Sequence, residues 1–144
     1  MKPTRLLVVI LSVLFAFFAF TPAAFAAMGD MGTTMDGFAW RELAGGEIEI
    51  IGYSGGGGNI TIPDEINGLP VTSIGVDAFR NDTTITGVVI PGSVTTIGEE
   101  AFRDCASIEN ITLNEGLQTI GYAAFAYNTA ITSITIPSTV AYIG

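Results

Sequence analysis

The sequence contains no histidine, a single cysteine and only five basic residues among 144. Without histidine, the chain lacks the commonest general base and every histidine-based zinc site. One cysteine allows no disulfide within the chain. Fourteen acidic residues give a net charge of −9, which repels nucleic acid and anionic membranes. We therefore predict no nucleic-acid partner, no cofactor and no metal site.

One short stretch has the pattern of a hydrolase nucleophile. Gly52-Tyr53-Ser54-Gly55-Gly56 matches G-x-S-x-G, in which a serine is exposed on a sharp turn between a strand and a helix. That serine needs a histidine to accept its proton, and the chain has none. We interpret the stretch as a turn before a strand and predict that the chain is not an enzyme, with no catalytic residues.

Residues 1–26 have the three parts of a secretory signal peptide. Lys2 and Arg5 precede an apolar run from Leu6 to Phe20, and Ala24-Phe25-Ala26 offers a cleavage site of small residues. The alternative is a membrane anchor, but the run is short for a span. We predict export, with no membrane insertion after cleavage. The exported chain then carries three basic and fourteen acidic residues, a net charge near −11.

Residues 27–36 are predicted to be a linker, and residues 37–70 a cap with a first degenerate coil. Within the cap, Phe38-x-Trp40 and Ile48-x-Ile50 alternate apolar residues with others, and Ala44-Gly45-Gly46 supplies a turn. This pattern predicts a β-hairpin. A solenoid needs such a shield at its open end, and Trp40 suits that role.

The rest of the chain repeats itself every 23 residues without insertion or deletion. Residues 71–93, 94–116 and 117–139 are three copies, and a fourth begins at Val140 and stops at Gly144. Such a period indicates a solenoid. Each copy contains an L-x-x-L-x-L-type run, at residues 85–90, 108–113 and 131–136, which predicts a strand that pairs with the strand of the next coil. Because the last copy is cut short, we expect the chain to be a fragment.

Other aligned positions predict contacts between coils. Phe79, Phe102 and Phe125 align and should stack along the solenoid axis. The glycine after each repeat isoleucine should relieve a tight bend. Cys105 is interpreted as a small buried group rather than a reactive thiol. The adjacent carboxylates Glu99 and Glu100 lie in a turn and should be solvated.

These repeats resemble a known family. Residues 90–105, IPGSVTTIGEEAFRDC, follow the IPxxVxxIGxxAFxxC pattern of BspA-like (bacterial surface antigen) leucine-rich repeats, and residues 58–75, GNITIPDEINGLPVTSIG, resemble their usual first coil. The resemblance covers about residues 37–144; Leu113-Asn114 departs from the Ile-Pro pair. It implies a secreted or surface-displayed protein that binds other proteins or host components, and it brings no catalytic residues with it.

Between the inward-pointing residues of each strand, small polar residues point outward, and stacking should align them in two rows. One row is Asn59, Gly87, Asn110 and Ser133; the other is Thr61, Val89, Thr112 and Thr135. We interpret this surface as a possible binding face formed by Asn59, Thr61, Asn110, Thr112, Ser133 and Thr135. The alternative is that threonine is simply a good exposed strand residue. Because the rows have no aromatic or arginine anchor, binding by this segment should be weak.

The sequence thus predicts one mostly β domain, a leucine-rich-repeat solenoid of 23-residue coils with an N-terminal β-hairpin cap. Its predicted function is a secreted or cell-surface binding module for protein–protein interaction or for adhesion to host or neighbouring cells. Its partner would be a protein or cell-surface ligand. The alternative is a non-catalytic accessory or spacer module of a larger surface protein or enzyme that continues beyond Gly144.

Overall fold

The computed structural model describes residues 30–144, so the signal peptide predicted for residues 1–26 lies outside the described residues. Within the described range the chain forms eleven strands and no helix. It therefore contains no helix there that is long and apolar enough to cross a membrane. The predicted fold class, a mostly β solenoid of coils about 23 residues long, is confirmed.

The strands in chain order are β1 (Met31–Thr33), β2 (Phe38–Leu43), β3 (Glu47–Tyr53), β4 (Gly58–Thr61), β5 (Glu65–Ile66), β6 (Leu69–Ile74), β7 (Ile85–Ile90), β8 (Thr96–Ile97), β9 (Asn110–Leu113), β10 (Thr119–Ile120) and β11 (Tyr142–Ile143). They form two sheets. The lateral sheet has the order β1-β2-β3-β6-β8-β10-β11, with β5 paired to β6, and the face sheet has the order β4-β7-β9.

The N-terminal cap is a hairpin, as predicted. Strands β2 and β3 pair antiparallel, and the turn between them contains Gly45 and Gly46, both with positive φ. Strand β1 then pairs antiparallel with the outer side of β2. The interpretation of residues 27–36 as a linker therefore fails for Met31–Thr33, which extend the cap by one strand.

From β3 onward, neighbouring strands of the lateral sheet are parallel and come from successive coils. Strand β3 pairs with β6, and the register continues through Ser73, Thr96, Thr119 and Tyr142. The cap therefore continues the lateral sheet instead of merely covering its end. The insertion before the first full repeat forms a tight hairpin between β5 and β6, where Asn67 and Gly68 both have positive φ.

The face sheet confirms the strand prediction for the first two full repeats and contradicts it for the third. Parallel β7 lies between β4 and β9. Residues 131–136, predicted as the next strand, have no strand conformation and no ladder partner among the described residues. Ile131 and Ile134 are only partly buried, because no coil covers their far side within the described range.

The core follows the aromatic stack. The ring centroids of Phe79 and Phe102 lie 4.6 Å apart with planes 8° from parallel, and those of Phe102 and Phe125 lie 5.5 Å apart at 14°. Phe38 and Tyr53 of the cap continue this cluster at 6.5 and 5.9 Å from Phe79. The predicted stack is confirmed, and the cap closes its N-terminal end.

The repeat glycines have a different role from the predicted one. A Cβ on Gly98 would lie 2.7 Å from the backbone of Gly75, and one on Gly121 would lie 2.6 Å from the backbone of Gly98. The backbones of successive coils therefore touch at these glycines, and any side chain would separate them. The left-handed backbone of each turn falls two residues later, at Asp77, Glu100 and Ala123.

Candidate functional site

The outer surface of the face sheet contains the predicted rows. In register, Asn59 lies beside Gly87 and Gly87 beside Asn110, while Thr61 lies beside Val89 and Val89 beside Thr112. Since successive side chains of a strand point to opposite sides, Ile60, Val88 and Ile111 point into the core and are buried. The row residues Asn59, Thr61, Asn110 and Thr112 are exposed.

The middle of this face is flat. Gly87 has no side chain, and a Cβ there would collide with the side-chain amide of Asn59, which lies over the glycine. Val89 is the one apolar row member and is about a third exposed, at 36%. The surface therefore offers amide and hydroxyl groups around a single apolar side chain, fixed on hydrogen-bonded strands.

The two remaining residues of the predicted face do not join the rows. Ser133 and Thr135 are exposed, but they belong to the segment that makes no ladder pairs with β9 among the described residues. The structure therefore brings together four of the six predicted residues. Whether any of the six contacts a partner stays a prediction.

The turns on another side of the solenoid are held by ion pairs that the sequence analysis missed. Glu100 Oε2 lies 2.7 Å from Arg80 Nη1 of the preceding coil, and Glu100 Oε1 lies 2.6 Å from Arg103 Nη1. The Arg103 guanidinium carbon lies 5.0 Å from the ring centroid of Tyr127 in the following coil. The prediction that Glu100 is solvated is wrong, because this carboxylate links two coils; Glu99 is exposed.

These contacts also engage the positive charges of the described chain. Arg41 pairs with Glu49 on the cap, Arg80 pairs with Asp77 and Glu100, and Arg103 pairs with Glu100 and Asp104. All arginines in residues 30–144 therefore have an acidic partner within the chain. The spacing of 20 residues between Arg80 and Glu100, one coil less three residues, is the signal that could have revealed their contact.

The lone cysteine is structural. Cys105 is fully buried, and its Sγ donates to the carbonyl of Phe79 in the preceding coil at 2.9 Å. Asn128, one repeat later, makes the same contact: its Nδ2 donates to the carbonyl of Phe102 at 2.8 Å. Burial raises the pKa of the Cys105 thiol to about 11. The thiol therefore stays protonated at neutral pH and is a poor nucleophile.

The serine of the G-x-S-x-G stretch lies directly after β3, in a turn. Its hydroxyl lies 3.4 Å from the carbonyl of Gly37. Strand β4 follows the stretch, whereas a nucleophile turn leads into a helix. This arrangement supports the interpretation of the stretch as a turn before a strand.

Comparisons with known proteins agree with this architecture. A family model described as "BspA type Leucine rich repeat region" matches residues 58–144. The chain is 32% identical to a leucine-rich repeat protein of T. pallidum, over 86% of this chain and 53% of that one, with a TM-score of 0.68. It is 30% identical to a leucine-rich repeat protein of Bacteroides capillosus, over 78% of this chain and 86% of that one, with a TM-score of 0.72.

A third structure is a leucine-rich cell surface protein of Faecalibacterium prausnitzii, 30% identical over 79% of this chain, with a TM-score of 0.72. The chain spans about half of the T. pallidum protein, at 53%, and a third of the F. prausnitzii protein, at 32%. No match was found among the curated proteins.

Proposed function

The chain belongs to the family of BspA-type leucine-rich repeat proteins, and we propose that it is an exported module that binds another protein across the outer surface of the face sheet. Repeats of this type are generally non-catalytic and typically mediate protein–protein interaction. The observation that carries the proposal is the register of the face sheet, which aligns the exposed polar groups of β4 and β9 on either side of Gly87 and Val89 of β7.

The surface is suited to weak, preorganised recognition. Asn59, Thr61, Asn110 and Thr112 are attached to strands whose backbone is already hydrogen-bonded, so binding orders few groups and costs little conformational entropy. The face lacks the aromatic and arginine anchors that dominate tight interfaces. Affinity should therefore grow with the number of coils that contact the partner.

We further propose that the protein acts outside the cell. Residues 1–26 have the pattern of a signal peptide, and the F. prausnitzii neighbour is described as a cell surface protein. Adhesion to host or neighbouring cells is one form that this binding can take. In a second proposal, the chain is a non-catalytic accessory or spacer module; the unbroken parallel ladder from β3 to β11 supports it by making the coils one continuous sheet.

A photo-crosslinking amino acid, benzoylphenylalanine, placed at Thr112 tests the binding face in cells that produce the protein. Thr112 is exposed at the β9 end of the row that it forms with Thr61 and Val89, so a partner on the face should be captured there as a discrete covalent complex. The matched control has the same amino acid at Glu99, which is exposed on a turn of the same coil. An Asn110→Arg substitution beside the crosslinker should abolish the capture.

Capture at position 99 but not at 112 would contradict the proposed face. Capture at neither position would favour the spacer role. Urea denaturation of each variant controls for folding, since both positions are exposed and should leave the core intact.

A further inference from the structure

Strand β4 forms the N-terminal edge of the face sheet, and one side of its backbone pairs with no strand of the described part of the chain. Gly58 N donates to the carbonyl of Thr84 at 2.8 Å and Ile62 N to that of Val89 at 3.0 Å, so the even-numbered residues of this stretch face β7. Peptide groups alternate in direction along a strand, so those of Asn59 and Thr61 point away from β7. No residue in the range 30–144 forms a backbone hydrogen bond with them.

A groove runs along this edge. Two adjoining cavities, of about 500 and 760 Å³, share the lining residues Met35, Asp36, Phe38 and Thr61. Phe38 and Trp40 are among the residues that line the groove, and they are 5% and 8% exposed. Both volumes fall within the range of ligand-binding clefts. The unpaired peptide groups of β4 therefore adjoin enough space for several residues.

The charge along the groove has one sign. Among residues 30–144, Asp36 and Glu65 line it, and no basic residue does. The arginines of the described chain are engaged by other carboxylates. An incoming cationic segment would therefore meet unpaired carboxylates, whereas an acidic one would be repelled.

We propose that the β4 edge binds an extended segment of a partner protein in which apolar residues alternate with lysine or arginine, so that this segment adds a strand to the face sheet. Main-chain hydrogen bonds to Asn59 and Thr61 give affinity, as in other sheet-edge complexes. Every second side chain of the added strand points to the same side as Ile60, toward Phe38 and Trp40. The others point outward, where a cationic group can reach the carboxylates of the groove.

This edge is separate from the outer face proposed above, because it uses the backbone of β4 rather than the side chains of the rows. The two proposals can therefore fail independently. Substitutions on Asn110 and Thr112 address the face alone. Backbone methylation of a bound peptide addresses the edge alone, whereas Thr61→Pro removes the outward N–H of Thr61 and also changes one side chain of the rows.

The probe is a terminally blocked nonapeptide of alternating lysine and valine, titrated into the purified protein. Trp40 is the only tryptophan of the chain and lines the groove, so its emission reports binding directly. Thr61→Pro removes the outward N–H without removing a bond to β7, which is the position where a sheet edge tolerates proline. We expect this variant to bind the peptide at least about fivefold more weakly, from the loss of one hydrogen bond.

Val76→Pro is the control, because Val76 is exposed outside the face rows and the groove, and it precedes the left-handed Asp77 in a turn, a position where proline is common. It should leave peptide affinity unchanged. A peptide with glutamate in place of lysine should not bind. Two further peptides are N-methylated, one at all valine amides and the other at all lysine amides. One of these two should lose binding, because only one set of amides faces β4.

Equal affinity of Thr61→Pro and the parent, with both folded by thermal melting, would overturn the proposal. Equal affinity of the methylated and unmethylated peptides would also overturn it. If the parent instead self-associates in light scattering, fails to bind the peptide and becomes monomeric on Thr61→Pro, then a second copy of the chain occupies the edge and the peptide proposal is wrong.

Discussion

The two ends of the solenoid have the same repeat pattern but different structures. At the N-terminal end, Ile48 and Ile50 of the cap pair with Val71 and Ile74, and all four side chains are at most 1% exposed. At the other end, Ile143 occupies the repeat position of Ile74 and is 57% exposed. The pattern of apolar residues is equally good in both places. A neighbouring coil, rather than the local sequence, therefore completes the burial.

The face sheet shows the same dependence. Ile85 and Ile108 are fully buried, whereas Ile131 at the same repeat position is only partly buried and its segment forms no strand. Forming a ladder fixes backbone dihedrals at an entropic cost that local hydrogen bonds do not repay alone. In a stacked architecture each strand is stabilised chiefly through its interfaces with its neighbours.

Truncation of the stacked phenylalanines should give the largest difference in stability between an inner and an outer coil. Phe102 is fully buried between two other rings, so Phe102→Ala should destabilise the protein by about 3–5 kcal/mol. Phe125 has a ring on one side only and is partly buried, so Phe125→Ala should cost about half as much. Urea denaturation measures both, and equal losses would remove the distinction between inner and outer coils.

Close contact between coils should make one glycine indispensable and another dispensable. A Cβ at Gly98 meets the backbone of the preceding coil at 2.7 Å, so Gly98→Ala should destabilise by about 1–3 kcal/mol. A Cβ added to Gly56 would have no neighbouring atom within 4 Å, and the φ of Gly56 is not positive, so Gly56→Ala should be neutral or slightly stabilising. Similar melting temperatures for the two variants would argue against contact of the coil backbones.

Two alanine-to-glycine substitutions in one turn should change the stability in opposite directions, because only one of the two alanines has a left-handed backbone conformation. Ala123 has a φ of 52°, which is unfavourable for an alanine. Ala123→Gly relieves that strain and should stabilise by about 0.5 kcal/mol after the entropic cost of glycine. Ala126→Gly, at a position without positive φ, should destabilise by about 0.5–1 kcal/mol. A loss of stability in both variants would show that Ala123 is not left-handed in solution.

The weakest expected effect concerns exposed hydrogen bonds between Glu115 of the second repeat and residues of the third. Glu115 accepts hydrogen bonds from the backbone and hydroxyl of Ser138 and from the backbone of Thr139, and these bonds lower the pKa of its carboxyl. A lowered pKa in the folded state means that the carboxylate stabilises the fold above the ordinary glutamate pKa, and that this contribution is lost as the pH falls through the folded value.

Glu115→Gln should therefore lower the melting temperature slightly at neutral pH, and the difference from the parent should shrink toward zero in acid. Glu109→Gln, at an exposed carboxylate for which no side-chain hydrogen bond is seen, is the control and should show no such trend. A difference between Glu115→Gln and the parent that does not change with pH would exclude a stabilising role for the charge of the Glu115 carboxylate.

Features that are set by the repeat spacing or by a local pattern could be predicted from the sequence. The period and the stack of Phe79, Phe102 and Phe125 follow from spacings that recur in each coil. The cap hairpin follows from the alternation of apolar residues on both sides of the turn at Ala44-Gly45-Gly46. The face rows follow as far as Asn110 and Thr112, because strand alternation fixes which side chains point outward.

Features that depend on contacts between particular elements were not predictable in this way. Strand β1 has the sequence Met31-Gly32-Thr33, which is too short to show a strand pattern, and it pairs with the outer edge of β2. To predict the ion pairs of Glu100, one would need to know how successive coils are offset from each other. The loss of strand structure at residues 131–136 depends on what lies next to them, a property that their own sequence does not contain.

The most direct test of the account compares amide hydrogen exchange at Ile111 and Ile134, which occupy the same position in consecutive repeats. We predict slow exchange at Ile111, whose strand pairs with β7. We predict exchange near the rate of an unfolded peptide at Ile134, whose segment has no ladder partner within residues 30–144. Equal and strong protection at the two residues would contradict the claim that a coil's strand is completed by its neighbour.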